Sequence, residues 1–220
     1  MRNRLLLLGP LMLFLHCAVH TGLQPTGQGN LKSHLSMGGP IIKAFGTHVS
    51  VPYAVTGIRY GLRERLDISS NIHLFSLAYK IAGFDVATTY YPLSGKGMIP
   101  NLALQPRLMT LMSLKSDVEE RMKFYPIISA SGSWQFGSGL AYTGADLLIP
   151  VTRPDYDNES PHVILSPFVG YCWNLGKGIA LYTELKWQGA NLESHQLSVE
   201  YLPLGNQGAI STLVGIERGL

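Results

Sequence analysis

The residues able to do chemistry are few and widely spaced. His73 lies two positions after Asn71 and one candidate element before Asp85, and a histidine steered by a carboxylate is the pairing that general-base catalysis uses. No Ser, Cys or second acid stands at a spacing that would complete such a group, so no catalytic residue is assigned and no enzymatic activity is expected. The other candidates are seven charged side chains of both signs: Arg59, Asp85, Arg107, Asp146, Glu184, Lys186 and Glu217. Brought to one face of a narrow barrel they would pair and fill its interior, which is the chemistry of an ion-paired network rather than of turnover. The acidic run at residues 155–159 could hold a cation weakly, but a solvated loop accounts for it as well. No Cys-x-x-Cys spacing or His/Cys cluster spells out a metal site, and no cofactor is implied.

The elements that would carry these charges follow from a period of two. In residues 178–188, Ile179, Leu181, Thr183, Leu185 and Trp187 fall on one face of an extended segment, and Tyr182, Glu184, Lys186 and Gln188 on the other. The same alternation sets Ile58, Tyr60 and Leu62 against Arg59, Phe84, Val86 and Tyr90 against Asp85, and Leu102, Leu104 and Leu108 against Gln105 and Arg107. Residues 125–136 oppose Ile128, Ala130, Trp134 and Phe136 to Ser129, Ser131, Ser133 and Gln135. Ten strands are expected, at 33–42, 51–62, 67–79, 82–91, 102–112, 125–136, 139–149, 162–175, 178–188 and 207–220, with eight as the other possible count. The joins near 63–66, 137–138 and 176–177 are short; those at 113–124, 150–161 and 190–204 are long and polar. Two joins depart from that alternation, a tight one expected at 80–81 and a long one at 92–101. The fold class is all-β: an antiparallel up-and-down barrel with one polar and one apolar face, which suits a wall between a bilayer and a polar lumen.

Composition agrees. Charged residues make up 14% of the 220 and hydrophobic ones 46%, yet after the N-terminus no run is long enough for a spanning helix. Arg2 and Arg4 precede an apolar run from Leu5 to Leu15, the plan of an export signal over residues 1–16. Without it the chain carries 15 basic and 14 acidic residues, which gives no case for nucleic-acid binding. Cys17, directly after the apolar run, resembles the acylated Cys of the bacterial lipobox, though Phe14, Leu15 and His16 depart from its small residues. Residues 17–32 are polar, Gly-containing and aperiodic, and are expected to be a flexible tether from a lipidated Cys17 to a single barrel domain at 33–220.

One segment carries a resemblance. RYGLRERLDISS, residues 59–70, is similar to a periplasmic turn motif of bacterial outer-membrane barrels, and the chain from about residue 33 onward resembles small OmpA-like or porin-like barrels. The resemblance implies an outer-membrane location, with lipid anchoring at the N-terminus if Cys17 is acylated. It also implies the lipid bilayer and the barrel-assembly machinery as partners, and a structural or transport-related role. The chain ends in Leu220 where such barrels commonly end in an aromatic residue. Two alternatives stay open: a lipid-tethered, lipocalin-like soluble barrel whose apolar face points inward to a ligand, and a barrel enzyme acting on lipid or peptide.

Overall fold

Alternating side chains along a strand give it two faces, and a sheet of such strands hides one face most completely by closing on itself. The computed structural model, which describes residues 19–44, 46–115, 122–151, 162–194 and 201–220, shows that closure. Among the described residues there are eleven strands: β1 (Leu31–Ala44), β2 (Thr47–Ser50), β3 (Tyr53–Arg63), β4 (Leu66–His73), β5 (Ile81–Leu93), β6 (Asn101–Ser113), β7 (Met122–Phe136), β8 (Gly139–Leu148), β9 (Ile164–Gly176), β10 (Ile179–Glu193) and β11 (Gln207–Gly219). All but β2 form the wall. Each wall strand pairs antiparallel with the next, and β1 pairs with β11 from Lys32↔Gly219 to Pro40↔Ser211, so the sheet has no open edge. β2 folds back on the distal part of β1 as a short hairpin, Ile41↔Ser50 to Ala44↔Thr47, an extension the sequence pattern did not suggest.

The two ends of the barrel differ. At the near end lie residue 30, Leu220 and the joins 64–65, 94–100, 137–138 and 177–178; the far end carries the joins 45–52, 74–80, 114–121, 149–163 and 194–206. The expected tight join at 80–81 is corrected: the strand stops at His73, and Phe75–Tyr79 form a 3-10 turn. The run Leu74-Phe75-Ser76-Leu77-Ala78-Tyr79 does not alternate, so no register buries it on one side. Ser76 instead donates a hydrogen bond to the carbonyl of His73 (2.7 Å), and Lys80 takes a left-handed conformation (φ 58°) that re-enters the wall. With that change, 94–100 is the one long join at the near end, held by Gly95 N–H on Asn101 Oδ1 (2.9 Å) and by Trp134 Nε1–H on the carbonyl of Met98 (3.0 Å). The acidic run at 155–159 lies outside the described residues.

The wall sorts residues as the alternation requires. Ile58, Ile72, Phe84, Leu108, Ile128, Val169, Leu185 and Val214 point outward with roughly half their surface exposed, making an apolar belt around the barrel. Inward-facing charges and hydroxyls are buried, as are interior aromatic and aliphatic side chains that fill space between them, including Tyr91, Tyr142, Met109, Ile127 and Leu148. Met109, Leu111, Tyr125, Ile127, Leu148 and Ile164 form an apolar cluster toward the far end on the β6–β9 side. The lipocalin-like alternative needs the opposite sidedness, and the wall excludes it. Trp134 and Trp173 lie toward the near end of their strands and Trp187 toward the far end of β10, a placement that suits aromatic girdles at two interfaces.

Candidate functional site: the polar interior and the segment inside it

The seven charged side chains expected on the inner face lie there, six of them in three groups and Arg107 apart. Near the near end, Arg59 of β3 donates from Nη2 to Glu217 Oε2 of β11 (2.6 Å) and lies 3.9 Å from Asp67 Oδ2 of β4. Glu217 Oε1 also takes Lys32 Nζ of β1 (3.0 Å) and Tyr182 OH of β10 (3.3 Å), so one carboxylate ties four strands together. Tyr91 OH donates to Asp67 Oδ2 (3.0 Å) and accepts from Arg59 Nη1 (3.3 Å).

At mid-height, Lys186 Nζ sits 2.9 Å from Asp146 Oδ2 and 3.2 Å from Glu184 Oε1, with the Phe168 ring beside it at 5.1 Å. All three charged groups are buried, which is tolerable because each charge has an opposite one at hydrogen-bond distance. Arg107 stands apart. Its Nη2 donates to Gln105 Oε1 (2.9 Å), and among the described residues it makes no ion pair with a carboxylate; it is half-buried while the others are fully buried.

Toward the far end, Asp85 is joined by residues whose spacing alone assigned them no role. His73 Nε2 lies 2.9 Å from Asp85 Oδ2, its Nδ1 lies 2.6 Å from Tyr53 OH, and Asn71 Nδ2 donates to Asp85 Oδ1 (2.7 Å). Because a carboxylate only accepts, a neutral imidazole here carries its proton on Nε2 and accepts the tyrosine hydroxyl at Nδ1. The order carboxylate, imidazole, hydroxyl is that of a catalytic relay. Tyr53, His73 and Asp85 are each 2% exposed or less, with Phe75 of the 3-10 turn edge-on to Tyr53, so in this conformation no substrate reaches the hydroxyl.

The expectation of a flexible tether over residues 17–32 is corrected for its described part: residues 19–30 enter the barrel interior. From mid-height they descend to the near end and turn there into β1. His20 N–H donates to Glu184 Oε2 (2.9 Å), its Nε2 lies 3.0 Å from Ser131 Oγ, and its ring stacks on Phe168 at 5.1 Å. Ser133 Oγ donates to the carbonyl of Leu23 (3.1 Å). Asp67 Oδ2 accepts from both the N–H (3.0 Å) and the hydroxyl (2.8 Å) of Thr26. Gly29 N–H donates to the carbonyl of Gly61 (2.9 Å) and Gly61 N–H to that of Asn30 (3.0 Å). Val19 and Leu23 join an interior apolar cluster with Tyr142, Phe168, Cys172, Tyr182 and Leu213. Two wall glycines make room: a Cβ on Gly61 would lie 2.0 Å from the carbonyl oxygen of Gly27, and one on Gly215 would lie 3.3 Å from Val19. Cys17 and the export signal lie outside the described residues; Cys172 is a buried free thiol.

His20, Leu23, Thr26, Asp67 and Tyr53 are not marked by the sequence pattern. Residues 19–30 show no period because they touch the wall at several strands in turn instead of lying on one surface. The signal that survives is the pairing of small residues, Gly22 and Gly27, with apolar ones, Val19 and Leu23, in a segment otherwise fit for solvent.

The chain forms a closed ten-strand meander with an apolar outer belt and a charged inner face. That is the architecture of outer-membrane β-barrels. No family model and no curated protein matches the chain. Solved structures similar to it are the translocator domain of the autotransporter NalP from Neisseria meningitidis (12% identity, 90% of each chain, TM-score 0.45) and the outer membrane protease OmpT from Escherichia coli (10% identity, 87% of this chain and 94% of that one, TM-score 0.37). The outer membrane protein OprG from Pseudomonas aeruginosa is similar at 9% identity over 90% of this chain and 99% of that one, with a TM-score of 0.33. The assignment of the barrel rests on its own strand register, in which the seam from Lys32↔Gly219 to Pro40↔Ser211 closes the wall.

Proposed function

We propose that this protein is an integral outer-membrane barrel with a structural or transport-related role and no catalysis of its own, its interior filled by paired charges and by its N-terminal segment. The observation that carries this reading is the sidedness of the wall: Ile128 is 45% exposed on the outside, while Ser129, its neighbour in sequence, is wholly buried inside. Water would not tolerate that belt on a soluble protein, whereas lipid does. The bilayer is then the first partner, and insertion falls to a barrel-assembly machinery.

The sidedness makes a prediction. Ile128→Arg places a charge in the middle of the belt and is expected to destabilise the inserted barrel by about 2–4 kcal/mol. Ile128→Leu should be nearly neutral. The readout is the temperature at which the fast-migrating unheated band on a detergent gel gives way to the slow one. An arginine variant as stable as the parent, or parent protein released from membranes by carbonate, would end the membrane reading.

The His73, Asp85 and Tyr53 relay is assigned to fastening β3, β4 and β5 beneath the 3-10 turn. Lipid anchorage through Cys17 meets a constraint of reach. Val19 packs near Gly215, four residues up β11 from Gly219, and two residues of extended chain cover only about 7 Å. Acyl chains on Cys17 seated in a leaflet would therefore draw residues 19–30 out of the interior. The mass of the mature N-terminus decides between an acylated Cys17 and a seated segment.

A further inference from the structure

We propose that the near half of the interior is a binding site for one irregular polypeptide segment, occupied here in cis by residues 19–30 and able to exchange it for another peptide of like chemistry. The proposal rests on the membrane-barrel reading for its setting, and on different observations for its content. Most of the bonds that hold the segment address its main chain: Glu184 takes the N–H of His20, Ser133 the carbonyl of Leu23, Asp67 the N–H of Thr26, and Gly61 pairs with Gly29 and Asn30. Arg59 Nη1 adds a long contact to the carbonyl of Gln24 (3.5 Å). Main-chain recognition of this kind leaves specificity to side-chain pockets.

Three such pockets are visible. Leu23 is 2% exposed in the apolar cluster, His20 lies between Phe168 and Ser131, and Thr26 presents its hydroxyl to Asp67. The wall is also shaped for a backbone to pass, since Gly61 lacks the Cβ that would strike Gly27. Asp67 and Glu184 are fully buried carboxylates that turn acceptor atoms toward this segment, whereas a wall evolved only to fill itself could have paired them wholly with one another's cations. The favoured ligand is a segment with an apolar residue three positions after a neutral, hydrogen-bonding one and a Thr or Ser three further on.

The seat is expected to weaken in acid. Burial pushes the His20 imidazole down to about 3, against the opposing pull of Asp146 on β8; Arg107 on β6, Lys186 on β10 and Arg59 on β3 push it further down, and Glu184 on β10 faces its N–H. A released His20 titrates near 6.5 and a seated one does not, so the released form binds the extra proton below 6.5 and the seat loses strength as pH falls toward 3. Between about pH 7 and pH 5 the seat should weaken about 25-fold from this group.

The test uses the full chain with Cys17→Ser and Cys172→Ser, carrying Leu23→Cys as a reporter, in detergent. Expected is slow labelling by a charged maleimide at about pH 7, faster labelling after Asp67→Asn or after incubation at about pH 5, and loss of the pH effect with His20→Gln. A fluorescent peptide of residues 18–30 should bind a variant lacking residues 19–28 and bind the intact chain at least roughly tenfold more weakly. Rapid labelling of the Leu23→Cys reporter at neutral pH, in a barrel that still shows heat-modifiable mobility, would overturn the proposal, as would failure of the folded deletion variant to take the peptide. If the deletion variant loses its heat-modifiable band, the labelling arm alone decides. Because mobility reports the barrel and labelling reports the seat, failure of the membrane reading and failure of this one are told apart on the same samples.

Discussion

Glu217→Ala is expected to destabilise the barrel by about 3–5 kcal/mol, the cost of leaving a buried charge without its partner. The loss falls on Arg59, which is 1% exposed and would keep Asp67 at 3.9 Å, the Tyr91 hydroxyl and the long contact to the Gln24 carbonyl. Lys32 is partly exposed and can turn to water, so it contributes little to the cost. The comparison that isolates the pair is Arg59→Met with Glu217→Leu: removing both charges together should recover much of the loss, because an apolar replacement of a buried pair is often close to neutral. Thermal loss of the fast-migrating band measures each variant. A Glu217→Ala protein as stable as the parent would show that the four-strand tie contributes nothing.

Lys186→Met is expected to cost a similar amount, about 3–5 kcal/mol, for the opposite reason of sign. Lys186 is the shared cation between Asp146 and Glu184, and without it two buried carboxylates face each other across β8 and β10. The triple change Lys186→Met, Asp146→Asn, Glu184→Gln should restore a good part of the stability, since no net charge is then buried. The single change should also disturb the segment inside the barrel, because Glu184 Oε2 is the acceptor for His20 N–H. A Lys186→Met barrel that melts with the parent would mean that the two acids are neutral or hydrated at mid-height.

The wall was legible because its physics is local. A residue whose neighbours two positions away share its medium declares its face, and Arg59, Asp85, Asp146, Glu184, Lys186 and Glu217 all occupy the inner face that alternation assigns them. Alternation does not say who pairs with whom. That Glu217 meets Arg59 and that Lys186 meets Asp146 depend on shear and register, which residues far apart in the chain decide together. The interior aromatic and aliphatic residues weakened the signal in 139–149, where Leu140 and Tyr142 share Asp146's side because they pack inside and not because the strand is irregular. The 3-10 turn at Phe75–Tyr79 was hidden by an apolar run that a strand and a buried turn share. The segment 19–30 was least legible of all, since its order comes from the wall around it and its own composition fits a solvated linker equally well.

The seam carries a consequence for the order of assembly. Every wall pairing but one joins wall strands that follow one another in the chain; β1 and β11 pair residues nearly the whole domain apart, as Lys32↔Gly219. Contacts of that separation carry the largest loop-closure entropy and tend to form late. Residues 19–30 lead directly into β1 and must be enclosed before the seam shuts, or be drawn in through the near end afterwards. The tie among Lys32, Arg59 and Glu217 spans the seam and so belongs to the last step. Its loss should therefore appear in the rate of unfolding, with the rate of folding into detergent or lipid little changed. The barrel would form as readily as before and simply not stay closed as long.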